Sequence, residues 1–370
     1  MDRRNFLKTT SAAAAAAALP WREAHASTDW QTYEIVTRVE VLKPRGISRA
    51  WVPLPLSDET DWHKAIGSSW TGNAARAQVV SDGKYGASMV YAQWNEGETA
   101  PTLEVTSRFM TREHNVDLTK PGRSTETLSA ADRAFYLSAT EMIPTDGIVR
   151  ETARDITKGA KSDVQKARAI YEWVVDNTFR NPKTRGCGWG DIKSMLETKN
   201  MGGKCGDLNA MFVGLSRASG VPARDVYGLR VARSKHGYAS LGVGSTNLTR
   251  AQHCRAEFFA QGYGWVPVDP ADVRKVVLEE PPGNLAIKDA KVEAARKRLF
   301  GNWEMNWLAY NMGHDVKLPG SSAPKLPYLM YVNAETGGEA RDQLDPDSLK
   351  YTITARHKMS GNGASRIGAR

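Results

Sequence analysis

The sequence predicts an α+β fold, and three observations support that prediction. Residues 28–118 contain short runs of β-branched residues separated by turn-forming residues. From Ser129 to Asn177 the chain is rich in Ala, Arg, Glu and Lys, with apolar residues at helical spacing. A second helical pattern begins at Cys205 and is followed by three strand-like segments. We therefore expect β structure first, and mixed helices and strands after it.

The amino-terminal residues have the features of an export signal. Arg3 and Arg4 form a twin-arginine pair, an alanine-rich run follows at residues 12–18, and residues 24–26 (Ala-His-Ala) fit a signal-peptidase site. An alanine-rich helix with two incidental arginines is the alternative. We predict a signal peptide at residues 1–26, the twin-arginine export machinery as a partner during targeting, and the periplasm of a Gram-negative bacterium as the destination.

Length, composition and charge narrow the classes of protein further. Roughly 344 residues would remain after cleavage, which is more than one hydrophobic core usually serves, so two or three domains are expected. The net charge of +9 falls to +7 without the signal, which holds four basic and two acidic residues. This excess comes without a dense Lys/Arg block, so we expect no nucleic-acid partner. No later segment reaches the roughly 18 uninterrupted apolar residues of a membrane helix, so no membrane span is expected in the mature chain.

The first part of the mature chain is predicted to be a β domain. Four segments have the β-branched, partly alternating pattern of strands: residues 32–41, 47–54, 88–94 and 103–110. Pro, Gly and Asn residues between them favour turns. We therefore predict a small β-sandwich-like domain over residues 27–118.

Helices are predicted in the middle of the chain. Ser162 and Gln165 form an S-x-x-Q capping box, and residues 164–175 carry an apolar stripe that is more typical of packing than of a ligand surface. The glycine-rich residues 186–190 indicate a loop, after which Asp191 is placed to cap a short helix.

The pattern that carries chemistry begins at Cys205. This cysteine directly follows a glycine turn and starts an amphipathic helix that Gly220 ends. Unpaired N–H groups and the macrodipole at a helix N-terminus stabilise a thiolate, and so lower the pKa of a thiol there. Cys205 is therefore the candidate nucleophile, with a buried packing cysteine as the alternative.

A thiolate that attacks a carbonyl needs a histidine to protonate the leaving amine and a carboxylate to orient that histidine. His253 lies on a predicted strand, and Asp269 ends the next strand across a tight turn at residues 261–264. Antiparallel pairing would bring the two side chains together. We therefore predict a catalytic triad of Cys205, His253 and Asp269.

These segments together resemble a known family. Residues 203–207 (GKCGD) with residues 215–224 strongly resemble the nucleophile segment of the bacterial transglutaminase-like superfamily. Residues 253–259 and 264–270 are similar to its histidine strand and aspartate strand. The resemblance covers about residues 145–275, and residues 30–115 are similar to the β domain that often precedes this core. The family usually has an alanine and an aromatic residue after the histidine, where this chain has Cys254 and Arg255.

The resemblance implies a papain-like core, in which the cysteine helix packs on an antiparallel sheet bearing the histidine and aspartate. It also implies acyl transfer through a thioester, with the Cys205 N–H and one further donor stabilising the oxyanion. Trp189 is a candidate for that donor because its indole follows a glycine-rich loop shortly before the nucleophile, and a packing role is the alternative. No cofactor is implied.

The remaining cysteines admit two interpretations. Three cysteines are an odd number for an oxidising compartment, so at least one is free or joined to another molecule. A Cys187–Cys254 disulfide could join the glycine-rich loop to the sheet. Side chains alternate along a strand, so Cys254 is expected to point away from the face that bears His253. The cysteines have no C-x-x-C or tight His/Cys spacing, so we expect no metal site.

The functional prediction is an exported thiol enzyme acting on amide bonds of protein or peptide substrates in the cell envelope. Hydrolysis of a peptide or isopeptide bond is favoured over cross-linking because water is the abundant acceptor. A catalytically idle envelope-binding module on the same fold is the alternative. A catalytic core is expected at residues 119–285, and a carboxy-terminal extension with a basic helix and short strands at residues 286–370.

Overall fold

The computed structural model describes residues 30–358, so the predicted signal peptide lies outside the described residues. The strands are β1 (Gln31–Val41), β2 (Ser48–Pro53), β3 (His63–Gly72), β4 (Arg76–Ser81), β5 (Ser88–Trp94), β6 (Thr102–Thr111), β7 (His114–Asn115), β8 (Phe179–Arg180), β9 (Gly202–Gly203), β10 (Ala223–Arg230), β11 (Gln252–Ala260), β12 (Gly264–Val268), β13 (Asn302–Trp303), β14 (Trp307–Asn311), β15 (His314–Val316), β16 (Leu326–Tyr328), β17 (Asn333–Thr336), β18 (Glu339–Ala340) and β19 (Leu349–Lys358). The helices are α1 (Ala130–Leu137), α2 (Gly147–Ile156), α3 (Asp163–Asn177), α4 (Ile192–Thr198), α5 (Cys205–Ala218), α6 (Pro270–Glu279) and α7 (Ala290–Arg298).

Two antiparallel sheets form the β-sandwich that the sequence predicts. Their strand orders are β19-β1-β6-β3 and β18-β17-β2-β5-β4. Side chains of both sheets share one buried core, which includes Val39, Val52, Val90 and Val105. The two edge strands β3 and β4 were not predicted, because their side chains are mostly exposed or half-buried and so carry little hydrophobic alternation.

The residues after α7 do not pack as a separate body. Strand β14 pairs with β10 of the helix-containing part, whereas β17 and β19 complete the two sheets of the sandwich by pairing with β2 and β1. The carboxy-terminal segment therefore ties the sandwich to the helix-containing part. The division of the chain at residues 118 and 285 stays a prediction.

The helix-containing part is built on the antiparallel sheet β12-β11-β10-β14, against which α5 packs. Helix α5 is buried along nearly its whole length, and its apolar residues share a core with α3 and with strands β11 and β12. Side-chain caps fix the starts of two other helices. Ser162 accepts the Gln165 N–H at the start of α3, and Asp191 accepts the Ser194 N–H at the start of α4. Within residues 30–358, no helix is long and apolar enough to cross a membrane.

Candidate active site

Helix α5 places Cys205 at its N-terminus, where the residue is buried. The helix start is held by Asp207, whose Oδ2 accepts the Lys204 N–H at 3.0 Å. The Gly206 N–H also donates to the Cys187 carbonyl at 2.8 Å. As the first helical residue, Cys205 makes no intrahelical bond through its own N–H, and in the described part of the chain no other acceptor is bonded to it. This N–H is therefore available to a substrate oxygen.

His253 and Asp269 come together through the pairing of β11 with β12, in which Ala256 lies opposite Val268. The Nε2 atom of His253 lies 2.7 Å from Oδ2 of Asp269, and both residues are buried. Asp269 is also the N-cap of α6, since its Oδ1 accepts the Asp272 N–H at 3.0 Å. One carboxylate oxygen is thus fixed by the helix start while the other is presented to the imidazole.

A second buried carboxylate, which the sequence did not reveal, lies on the same side of the histidine. Oδ1 of Asp272 is 3.4 Å from His253 Nε2 and also accepts a hydrogen bond from the Arg230 guanidinium. Burial opposes ionisation of Asp272, but Arg230 and then His253 hold its pKa well below the ordinary value. The spacing Asp-x-x-Asp at a helix start was the available signal, because residues three apart on a helix lie on the same side.

The protonation states follow from these contacts. The pKa of the Cys205 thiol lies well below its ordinary value because Cys187 and then Cys254 stabilise the thiolate against the effect of burial, with His253 acting in the same direction. For His253, burial and the charge of Arg230 oppose protonation, but the Asp272 and Asp269 carboxylates raise its pKa to about 10. Both shifts favour a thiolate paired with an imidazolium over the neutral thiol and imidazole.

These shifts predict the pH dependence of alkylation. Only the thiolate reacts, and an ordinary thiol is ionised to about one part in a thousand at about pH 5.5. Because the pKa of Cys205 is lowered, iodoacetamide at that pH should modify Cys205 well before Cys187 and Cys254, whose pKa values are raised. Peptide mapping by mass spectrometry after short exposures measures the order. Modification of Cys254 first would contradict this assignment of the ionised thiol.

The second oxyanion donor has two candidates. Trp189 is 67% exposed and is not among the residues that line the cleft above Cys205. Its backbone N–H instead donates to Oδ1 of Asp207 at 3.0 Å. The Nε2 atom of Gln252 is buried and has no hydrogen-bond partner among the described residues, and Gln252 does line that cleft. Trp189 stays a prediction, and Gln252 is a second proposal.

All three cysteines converge beside the helix start. The sulfurs of Cys187, Cys205 and Cys254 lie within 4.8 Å of one another, and all three are free thiols. The Cys187–Cys254 disulfide is therefore not formed in the structure and stays a prediction. Cys254 lies beside the nucleophile, although strand alternation predicted it away from the face of His253. Asn209 of α5 donates from its Nδ2 atom to the Cys254 carbonyl at 2.8 Å, so this part of β11 packs against the helix that carries the nucleophile.

Among residues 30–358, two groups of side chains have donor atoms close enough to hold a metal ion. One is the three thiols, whose sulfur donors suit soft ions, and the other is His253 with Asp269 and Asp272. Each group contains residues of the predicted triad, so an ion at either position would compete with the nucleophile or the proton carrier. The expectation that the site uses no metal stays a prediction.

Cys205 and His253 line one cleft of about 590 Å³. Gly186 and Cys187 of the glycine-rich loop contribute to its wall. Several side chains between residues 331 and 351 of the carboxy-terminal segment also contribute. Tyr328, from the same segment, donates to the Gly188 carbonyl at 2.6 Å and so holds the loop in place. The volume lies within the range of small-molecule and peptide-side-chain sites.

The fold and the site define a class of α+β protein in which a thiol at a helix N-terminus shares a cleft with a histidine held by a carboxylate on an antiparallel sheet. A sequence model of the Transglutaminase-like superfamily matches residues 150–270. A second model, of the twin-arginine translocation signal sequence, matches residues 1–20. The chain belongs to the transglutaminase-like superfamily, and its signal directs it to the periplasm.

Two known proteins are similar to this chain over most of its length. An uncharacterised protein of Haemophilus influenzae is 35% identical over 348 residues, covering 89% of this chain and 92% of the relative. The crystal structure of a proposed cysteine protease from Cytophaga hutchinsonii is similar with a TM-score of 0.55, over 90% of this chain and 92% of that chain. At 12% identity, this second likeness concerns the fold alone, which is the papain-like fold that the sequence predicts.

Proposed function

We propose that this protein is a periplasmic thiol enzyme that cleaves amide bonds through Cys205, His253 and Asp269. The observation that carries the proposal is the 2.7 Å contact of His253 with Asp269 in a cleft that also contains Cys205 at a helix N-terminus. Membership of the transglutaminase-like superfamily supports an enzyme of this class.

The chemistry begins with attack by the Cys205 thiolate on the carbonyl carbon of an amide, which forms a C–S bond. The Cys205 N–H stabilises the oxyanion, together with the second donor. The His253 imidazolium then gives its proton to the departing amine nitrogen, and the C–N bond breaks to leave a thioester. Asp269 keeps the imidazole oriented throughout.

Hydrolysis completes the cycle in this proposal. Neutral His253 takes a proton from water, the resulting oxygen nucleophile attacks the thioester, and the carboxylic acid leaves as the Cys205 thiolate is restored. Water is favoured over an amine as the acceptor because of its concentration. Cross-linking differs only in this step, with a primary amine in place of water.

Trapping of the acyl group on Cys205 tests the proposal. The protein should be incubated with a pool of envelope peptides, quenched in acid and measured by intact-mass spectrometry, with Cys205→Ala as the matched control. We expect a mass increase that maps to Cys205 and is absent from the control. Peptides that bind without any thioester would instead support the idle binding module. Addition of a primary amine separates the two acceptors, since hydrolysis yields an acid and cross-linking yields a new amide.

A further inference from the structure

The cleft that contains Cys205 is strongly basic. Seven lysine and arginine side chains line it, and Glu279 is the one Asp or Glu in that lining. Such a surplus of one sign inside a concave site raises the local concentration of ligands of the opposite charge. Some of these lysine and arginine side chains are neutralised by acidic residues of this chain, and the others are free for a ligand.

Five of the seven cations have acidic partners. Arg180 and Lys275 share Glu279, and Arg230 is paired with the buried Asp272. The other two pairs are Arg185 with Asp342 and Lys350 with Glu40. Both of these pairs are at the rim with largely exposed cationic side chains, where an ion pair contributes little and the cation can turn toward a ligand. Outside the predicted triad, four acidic partners against seven lysine and arginine side chains leave an excess of three positive charges.

Lys204 and Arg250 are the two cations without an acidic partner among the described residues. Lys204 directly precedes the nucleophile, and Arg250 lies three residues before His253, in the turn that leads into β11. Arg250 is exposed and Lys204 is half-buried. The unpaired charges therefore belong to the two chain segments that carry the nucleophile and the proton carrier.

We propose that the cleft takes an acidic peptide, with carboxylates close to the scissile amide seated on Lys204 and Arg250. This inference rests on the proposed function and adds the substrate class to it. The aromatic rings of Tyr331 and Tyr351 line the same cleft and give the peptide backbone an apolar surface beside the charged one. Paired cations at the rim extend the attraction to carboxylates further along the peptide.

A pair of alkylating reagents measures the charge preference without any knowledge of the natural substrate. Iodoacetate and iodoacetamide both form a C–S bond at Cys205 with loss of iodide, and they differ mainly in the negative charge. The rate of alkylation by iodoacetate divided by the rate by iodoacetamide should fall about fivefold in the Lys204→Gln/Arg250→Gln double variant. This is the effect expected when two positive charges about 8 Å from the reagent's carboxylate are removed in water. The preference should also shrink as salt is added.

The matched control is the Arg76→Gln/Lys297→Gln double variant, which removes the same two charges from exposed positions outside the cleft. Its rate ratio should equal that of the unmodified protein. A rate ratio that falls equally in both double variants would overturn the proposal, because net charge alone would then explain the preference.

Peptide reagents test the substrate class itself. Tripeptide chloromethyl ketones that carry either glutamate or glutamine next to the reactive residue should alkylate Cys205 at rates that favour glutamate, and this preference should disappear in the Lys204→Gln/Arg250→Gln variant. Equal rates for the two peptides would overturn the acidic-peptide assignment even if iodoacetate were preferred. Failure of every reagent to modify Cys205 would count against the proposed function instead, so the two failures are distinguishable.

Discussion

Replacement of Cys205 or of His253 by alanine is expected to abolish turnover, with a loss of about 10⁵-fold or more. Cys205 supplies the atom that forms the new bond. Cys254 is a poor replacement, because burial is the main cause of its raised pKa and persists when Cys205 is replaced. His253 carries the proton that the departing amine needs. The rate of product release from a peptide identified by trapping measures both losses.

Asp269→Asn should behave differently and leave a measurable remainder, with a loss of about 10²- to 10⁴-fold. An asparagine oxygen can still accept the Asp272 N–H and cap α6. Asp272 itself remains 3.4 Å from His253 Nε2 and continues to favour the imidazolium. The negative charge at position 269 is lost, and with it the control of the His253 tautomer. The nucleophile and the proton carrier survive.

Cys254→Ser is the control for these substitutions. It removes a buried thiol within 4.8 Å of the nucleophile, yet its hydroxyl can still donate a hydrogen bond to the Cys205 thiolate. Turnover should therefore persist. Thermal unfolding of each variant separates loss of chemistry from loss of folding. Full activity of Cys205→Ala, or an inactive Cys254→Ser that is folded, would contradict the assignment of the nucleophile.

The elements that the sequence predicted are those set by local chemistry. Caps at Ser162 and Asp191 lie within three residues of the N–H groups that they accept, so short motifs were sufficient. The same holds for the helix start at Cys205 and for the β11–β12 hairpin, whose connection is short. Hydrophobic alternation located the buried strands of the sandwich, but it failed for its exposed edges.

The unpredicted features depend on long-range contacts. The ion pair of Arg230 with Asp272 joins residues 42 positions apart, and Tyr328 holds the Gly188 carbonyl across 140 positions. Strand β19 also pairs with β1 at the opposite end of the chain. No local pattern encodes such contacts, so the contribution of side chains between residues 331 and 351 to the wall of the cleft was not predicted. The convergence of the three thiols was missed for the same reason.

Gly188 lies in the loop that also contains Cys187 and Trp189. Its backbone is left-handed, with φ of +93°, and a β-carbon added there would clash with the Asp207 carboxylate. That carboxylate accepts the Trp189 and Gly190 N–H groups and the Lys204 N–H, so it holds the loop against the start of α5. A side chain at position 188 would therefore displace the contact that positions the nucleophile.

Gly188→Ala should lower the free energy of unfolding by about 2–5 kcal/mol, the sum of about 1–2 for the left-handed backbone and about 1–3 for overpacking. Gly159→Ala is the matched control, because its φ is +86° and a β-carbon there meets no atom within 4 Å. It should lose only the backbone contribution of about 1–2 kcal/mol. Urea unfolding measures both values. Gly188→Ala should in addition slow iodoacetamide alkylation of Cys205 at mildly acidic pH, whereas Gly159→Ala should not. Equal destabilisation of the two variants with unchanged alkylation would mean that the contact between the loop and Asp207 does not position Cys205.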